Sequence, residues 1–340
     1  MYRKFIETYS GKDAAKIQKK SDKCKCLPKK ILCGHRLLRD YFHELLQAIF
    51  IFFAQSLANS DFLLYLCNVR ALVEYIVSRL APYYPPEEAR EMAYWIIEET
   101  TGASRFDVHA GNVNKDIPNL DAILEQLCNH VPLQYIFGHT LWLGLDLQVT
   151  AAALIPRPET AELVELVSSQ PSAVSPRRPF RVLDIGTGCG CIALALKQRH
   201  PEWIVEGLDK SREALAVAET NAKNLGIEVT FFAADILHDD IPHYDLIVSN
   251  PPYIRPSESG TMTQNTLLHE PKEALFVPDD DPLLFYRRIA ELHRAPELWL
   301  EISETQGEQM LTLMQQTGYE AQCLKDIYGK QRFIHATDCR

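Results

Sequence analysis

The sequence predicts an α/β protein, a doubly wound and mainly parallel sheet with a second, smaller helical domain ahead of it. Three observations predict this. After Pro179, short apolar runs alternate with helical periodicity, the pattern of strands joined by crossover helices. The first run enters a glycine turn, Gly186-Thr187-Gly188-Cys189-Gly190, that opens a helix. Ahead of these, residues 67–133 carry apolar positions at three- and four-residue spacing without strand-like alternation. The length of 340 residues allows two domains and one small additional piece.

The chain begins with a segment unlike the rest. Net charge is −10, yet residues 1–40 hold twelve Lys/Arg against four Asp/Glu, a local balance of +8 that leaves −18 for the remaining 300 residues. The apolar run Leu45–Ala54 is too short to span a bilayer, which needs about 20 residues, and it follows too long a charged stretch for a signal peptide. Cys24, Cys26, Cys33 and His35 match no usual zinc spacing, so no metal site is assigned. Residues 1–66 read as a basic and apolar extension, either disordered or an over-called start. Nine cysteines in the chain are too sparse for a disulfide scaffold and suit a reducing cytoplasm. With 46 % hydrophobic and 24 % charged residues, the composition excludes wholesale disorder, collagen and a polytopic membrane protein.

The helical domain, 67–133, follows. Leu72, Val73, Ile76 and Leu80 mark one helix, which Pro82 and Tyr83-Tyr84-Pro85-Pro86 end; a second runs from Pro86 to near Gly102, and a third from Leu120 to Cys128. Residues 134–160 form a hairpin, Tyr135 to Val149, and a linker, Leu154-Ile155-Pro156-Arg157-Pro158-Glu159-Thr160. There two prolines forbid regular structure until a helix starts at Ala161. Residues 161–340 make the sheet domain, with strands at Arg181–Ile185, Ile204–Leu208, Val229–Ala233, Tyr244–Ser249 and Leu298–Ile302.

The chemistry is expected where these strands end. Glycines at 186, 188 and 190 let the backbone turn sharply and approach a ligand. A dinucleotide fingerprint needs glycine at 191, where this chain has Cys191, so the loop favours a nucleoside without a pyrophosphate. Asp209 ends the second strand and can accept both ribose hydroxyls; Asp235, after the third, can accept from an adenine amino group. The fourth strand ends in Asn250-Pro251-Pro252-Tyr253. Two prolines stiffen that turn and donate no N–H, so Asn250 Oδ1 and the Pro251 carbonyl stand as a pair of acceptors for a planar NH₂ group, with Tyr253 as its aromatic wall.

The glycine loop and Asn-Pro-Pro-Tyr together resemble the S-adenosylmethionine-dependent amino-methyltransferases. The segment Tyr135-Ile136-Phe137-Gly138, Trp142, Gly144 and Leu154–Thr160 narrows this. It is similar to the HemK/PrmC-type release factor glutamine methyltransferases, the protein-(glutamine-N5) methyltransferases. Glu270-Pro271, Ala274-Leu275, Glu301-Ile302, Gln306, Asp326, Gly329 and Arg332 agree, and the resemblance runs from Val69 to Ile334. It implies a Rossmann-like class I S-adenosylmethionine-dependent methyltransferase sheet and transfer of a methyl group from S-adenosyl-L-methionine, leaving S-adenosyl-L-homocysteine. The acceptor it implies is the side-chain N5 of the Gly-Gly-Gln glutamine in class I peptide chain release factors. It places cofactor binding on Gly186, Thr187, Gly188, Cys189, Gly190, Asp209, Asp235, Ile236 and Asn250, and catalysis on Asn250, Pro251, Pro252 and Tyr253. Those four bind substrate together with Arg157 and Trp142, the hairpin aromatic expected to cover the glutamine. Ile236 stands where the family often has an aromatic against the adenine, and Trp142 where a phenylalanine is more usual.

Other acceptors fit the same clamp. An adenine-N6 methyltransferase on DNA or RNA would flip its base there, but it would need a basic face, and the core sums to −18. A ribosomal-protein glutamine differs only in what the helical domain docks. A non-catalytic adaptor would have no use for the clamp. No membrane, no specific nucleic acid and no metal are expected, and a cytoplasmic monomer is.

Overall fold

The computed structural model describes residues 60–111, 113, 117–169 and 179–339, with side chains from Val69 onward. The basic start, the Cys24/Cys26/Cys33/His35 cluster and the apolar run Leu45–Ala54 lie outside the described residues. Asn68–Arg340 form one compact unit.

The chain enters this unit through helix α1 (Ser60–Leu80). Helix α2 (Pro86–Thr101) starts on a proline, carries Glu87 and Glu88 in its first turn and is closed by Gly102 at φ 68°. Helix α3 (Arg105–Ala110) was not marked by periodicity; a reciprocal capping box between Ser104 and Asp107 sets it. Helix α4 (Leu120–Cys128) has the expected bounds, and α5 (Leu133–Phe137) follows. Val73, Ile76, Leu80, Ile96, Ile97, Leu124 and Leu127 close one buried core among these helices.

The expected hairpin begins later than its sequence suggests. Tyr135–Phe137 belong to α5, because Pro132 opens a helical turn and Gly138, at φ 79°, ends it. The hairpin proper is β1 (His139–Trp142) with β2 (Leu145–Gln148), turning on Leu143 and Gly144, both at positive φ. Helix α6 (Pro158–Ser169) likewise starts on the second linker proline rather than at Ala161, since a first-turn residue has no N–H to supply to the helix.

The remaining elements are β3 (Arg181–Ile185), α7 (Cys191–Arg199), β4 (Ile204–Asp209), α8 (Arg212–Leu225), β5 (Thr230–Ala233) and β6 (Leu246–Ser249). They continue with a 3-10 turn (Pro256–Thr261), α9 (Gln264–His269), α10 (Lys272–Leu275), α11 (Leu284–Leu292), β7 (Glu297–Glu301), α12 (Gly307–Gln316), β8 (Tyr319–Lys325) and β9 (Gln331–Asp338). Seven of the described strands form one sheet in the order β5-β4-β3-β6-β7-β9-β8, parallel except where β9 runs against β7 and β8. Side chains alternate between its faces. Val182, Leu246, Val248 and Trp299 join one core with α6 and α7, while Leu183, Ile247, Leu298 and Leu300 join the other with α11 and α12. The closing antiparallel pair escaped the sequence reading because β8 is mostly polar and alternates weakly.

From β3 the chain winds outward through β4 to β5, then crosses back to β6 on the other side of β3. That reversal leaves a crevice beyond the carboxyl ends of β3 and β6, the place where open α/β sheets bind ligands.

Candidate active site

Four strand ends meet at this crevice. One cavity there is lined by Gly186 and Gly188 after β3, Asp209 at the end of β4, and Asp235 and Ile236 after β5. Asn250, Pro251 and Pro252 after β6 complete that wall, and Ala152–Leu154 and Phe285 close it from outside the sheet. A second cavity shares Leu154, Asn250, Pro251 and Ala274 with the first and adds Arg157, Tyr253, Thr263 and Thr266. A third shares Arg157, Thr263 and Thr266 with the second and reaches α2 at Glu88, Glu91, Trp95 and Glu98. Through these shared residues the three adjoin in series from the glycine loop to the helices, and Asn250 and Pro251 line both of the first two.

The three loop glycines have separate jobs. All have positive φ (72°, 55° and 84°). A Cβ on Gly186 would meet nothing within 4 Å, and one on Gly188 only Ala153 Cβ at 3.9 Å, so their bareness leaves cavity space. A Cβ on Gly190 would sit 3.1 Å from both Ala218 and Phe231; that glycine serves packing under α7. Thr187 and Cys189 also lie outside the cavity wall. Thr187 Oγ1 donates to Asp184 Oδ2 at 2.6 Å, and Cys189 is buried in the core with its carbonyl accepting from Asn221 Nδ2 at 2.9 Å. Asn221 also accepts from Gln148 N–H (2.7 Å) and donates to Gln148 O (3.0 Å), which ties the hairpin to the loop.

Asp209 is held by the backbone. Its Oδ2 accepts from Gly188 N–H and its Oδ1 from Ser211 N–H, both at 2.9 Å, leaving further lone pairs free. Burial raises its pKa, and those two donors counter the rise. Asp235 runs the other way: burial would raise it, but bonds from His238 and Leu237 hold it below the ordinary carboxylate value. Ile236 is buried and presents an apolar wall beside them. Exposed Lys210 and Glu273 both line the cavity and pair across it at 2.9 Å.

Side chains rather than backbone build the other end. Asn250 Nδ2 donates to Thr160 Oγ1 at 3.0 Å, and Thr160 Oγ1 donates to Glu301 Oε2 at 2.7 Å. Tyr253 OH donates to Glu301 Oε1 at 3.4 Å. A hydroxyl has one hydrogen; since that of Thr160 goes to the carboxylate, its oxygen must accept from Asn250. This fixes the amide with Oδ1 turned away from Thr160. The backbone past Tyr253 is pinned by Ile254 N–H to Leu275 O (3.0 Å) and Val277 N–H to Ile254 O (2.9 Å). Burial raises the Tyr253 pKa, and Glu301 adds to the rise. Arg157 donates to Glu270 Oε1 at 2.6 Å, and Glu270 Oε2 accepts from Ile155 N–H at 3.2 Å.

Trp142 is not in any of these walls. It is 7 % exposed in the sheet-domain core, its Nε1–H donating to Arg157 O at 3.0 Å. It shapes the linker that carries Arg157 and does not itself face the cavity. Sequence reasoning gave no role to Thr160, Glu301, Glu270 or Asp184. The signal available was a charge at an apolar strand's end, as at Glu301 after Leu298-Trp299-Leu300, or inside a strand, as at Asp184.

A family model described as "Methyltransferase small domain" matches residues 166–278. The chain is 40 % identical over 282 residues to a release factor glutamine methyltransferase of Bacteroides thetaiotaomicron, covering 78 % of this chain and 98 % of that one. It is 38 % identical over 270 residues to that of Flavobacterium psychrophilum (76 % and 95 % covered) and 39 % identical over 217 residues to that of Bacillus subtilis (61 % and 75 % covered).

Proposed function

The chain belongs to the release factor glutamine methyltransferases, and from that premise we propose how its residues carry the reaction. It is an S-adenosylmethionine-dependent enzyme that methylates a release factor glutamine. The acceptor atom is N5 of the Gly-Gly-Gln glutamine of a class I release factor, reached along the path from α2 to Asn250, and the helical segment 67–133 docks the factor. The enzyme works as a cytoplasmic monomer. Among the described residues, no helix is long and apolar enough to cross a membrane.

The cofactor supplies an electrophilic methyl group on a sulfonium. Bare Gly186 and Gly188, the spare lone pairs of Asp209 and the apolar face of Ile236 suit its nucleoside. Asp235 and Asn250 complete that side, with Gly190, Thr187 and Cys189 supporting the loop from beneath.

The orientation of the Asn250 amide is the observation that carries this reading. An amide nitrogen is a poor nucleophile because its lone pair is delocalised. With Nδ2 committed to Thr160, Asn250 Oδ1 and the Pro251 carbonyl each accept one hydrogen of the glutamine NH₂. That favours a pyramidal nitrogen with its lone pair directed at the methyl group, and Tyr253 holds the amide plane. Pro252 keeps the turn rigid, so positioning supplies much of the rate. Among the described residues, no carboxylate or histidine lines the cavity around Tyr253; the proton leaves to water after the N–C bond forms.

The test is transfer of labelled methyl to a class I release factor, with and without replacement of its Gly-Gly-Gln glutamine. Label confined to the intact motif is expected. Label on DNA, or on the replaced factor, would overturn the reading.

A further inference from the structure

Two buried polar residues stand behind the clamp and line none of the three cavities. Thr160, in the first turn of α6, is 2 % exposed, and Glu301, closing β7, is 1 % exposed. They lie 141 residues apart in sequence and touch the substrate side only through Asn250 and Tyr253. Resting on the function proposed above, we propose that Thr160 and Glu301 form a positioning relay that sets which end of the Asn250 amide faces the glutamine.

The two ends of an asparagine amide are almost identical in shape, so only hydrogen-bond partners decide its orientation. A charged Glu301 can only accept. The Thr160 hydrogen then points to Glu301, the Thr160 oxygen accepts from Asn250 Nδ2, and Oδ1 is offered to the substrate. A protonated Glu301 can instead donate to Thr160. The threonine hydrogen is then released toward Asn250, the amide turns to receive it, and Nδ2 meets the glutamine NH₂, donor against donor. A proton on a carboxylate two bonds away thus removes one of the clamp's acceptors.

The surroundings of Glu301 place this exchange near neutral pH. Burial pushes its carboxyl up to about 7; Thr160 and Arg332 on β9 act against the rise, Glu159 beside Thr160 adds to it, and Tyr253 acts against it. Arg332 is itself engaged by Asp326 at 3.3 Å, and Tyr286 OH donates to the Glu301 backbone carbonyl at 2.9 Å rather than to its side chain. Methylation therefore falls as pH drops through this range.

The experiment measures kcat and KM for release factor methylation across about pH 5.5–9 for the wild type, Thr160→Ser, Thr160→Val and Glu301→Gln, with cofactor affinity by calorimetry. Thr160→Val is expected to lower kcat at least about tenfold, with factor KM and cofactor Kd changed by less than about twofold, and Thr160→Ser to restore most of the loss. Glu301→Gln cannot ionise; its carbonyl accepts from Thr160 while its NH₂ faces Tyr253, so the acid limb near pH 7 disappears. Thr160→Val as fast as wild type, Thr160→Ser as slow as Thr160→Val, a flat wild-type profile, or an acid limb kept in Glu301→Gln would each overturn the relay. If Thr160→Val does not fold, the Glu301→Gln profile decides. A wild type inactive on every release factor overturns the functional reading and the relay with it; an active wild type with indifferent variants overturns the relay alone.

Discussion

The two ends of the active-site path are built differently. At the end proposed to hold the cofactor, the glycine loop and Asp209 rest on the main chain: Asp209 is fixed by two main-chain N–H groups, and Gly186 and Gly188 leave space where side chains would stand. At the end proposed to receive the substrate, side chains are fixed by other side chains, Asn250 through Thr160 to Glu301 and Arg157 through Glu270. A backbone site fails when something is added to it. A side-chain site fails when one member is removed, because its partners are left buried without hydrogen bonds.

Variants can break this contrast, and the largest effect is expected from an addition. Gly188→Val puts a branched side chain at φ 55°, where an L-residue carries about 1–2 kcal/mol of strain, and fills the cavity beside Ala153. Calorimetry should find no binding of S-adenosylmethionine; affinity within about tenfold of wild type would show that the loop does not confine it. Asn250→Ala removes an acceptor but leaves the glycine loop intact. A kcat loss of about 10²–10³, larger than any accompanying change in cofactor Kd, is expected, the usual size for one lost preorganised group, and full glutamine-methylating activity would sink the clamp.

Glu270→Ala tests the second side-chain pair. It strips the buried Ile155 N–H of its acceptor and frees Arg157, at a cost of about 1–3 kcal/mol. Thermal melting should fall by several degrees and KM for the release factor rise, with cofactor affinity kept. An unchanged melting temperature would mean that the linker does not depend on this carboxylate.

The smallest effect lies farthest from the cofactor, at His139. Its Nδ1 contacts Asp146 Oδ1 at 2.7 Å and its Nε2 contacts Glu99 Oε1 at 2.6 Å, joining the hairpin to α2. Asp146 chiefly, then Glu99, raise its pKa above the ordinary 6.5 against partial burial. Stability from a raised histidine is fully present below 6.5 and is lost as pH climbs through the folded value. The melting-temperature gap between wild type and His139→Gln should therefore be widest in mild acid and close in alkali; a gap that widens with pH would reverse the assignment.

The same contrast governs how much the sequence discloses. That Gly186, Gly188 and Asp209 would gather at one crevice was legible because each part is local: a strand, a glycine turn, then an acidic residue at the next strand's end. Five of the seven sheet strands were readable for the same reason, their apolar runs being short and bounded. Thr160 and Glu301 were not legible as partners, since they come together only through β7 pairing with β6 and α6 packing beside them. Trp142 misled for a related reason. Its place in the hairpin motif suggests contact with substrate, but tertiary packing turns the ring into the core and leaves neighbouring Leu141 exposed. Tyr135–Phe137 reads as strand by residue type, and Pro132 and Gly138 override that preference with backbone geometry.

Asn221 has a consequence beyond the site it braces. A two-stranded ribbon leaves main-chain donors and acceptors along its rims, where any extended peptide could pair. At Gln148 the side-chain amide of Asn221 takes both, accepting the N–H and donating to the carbonyl as a neighbouring strand would. One buried asparagine thus acts as a one-residue third strand and protects the rim of β2 at that point from edge-to-edge aggregation.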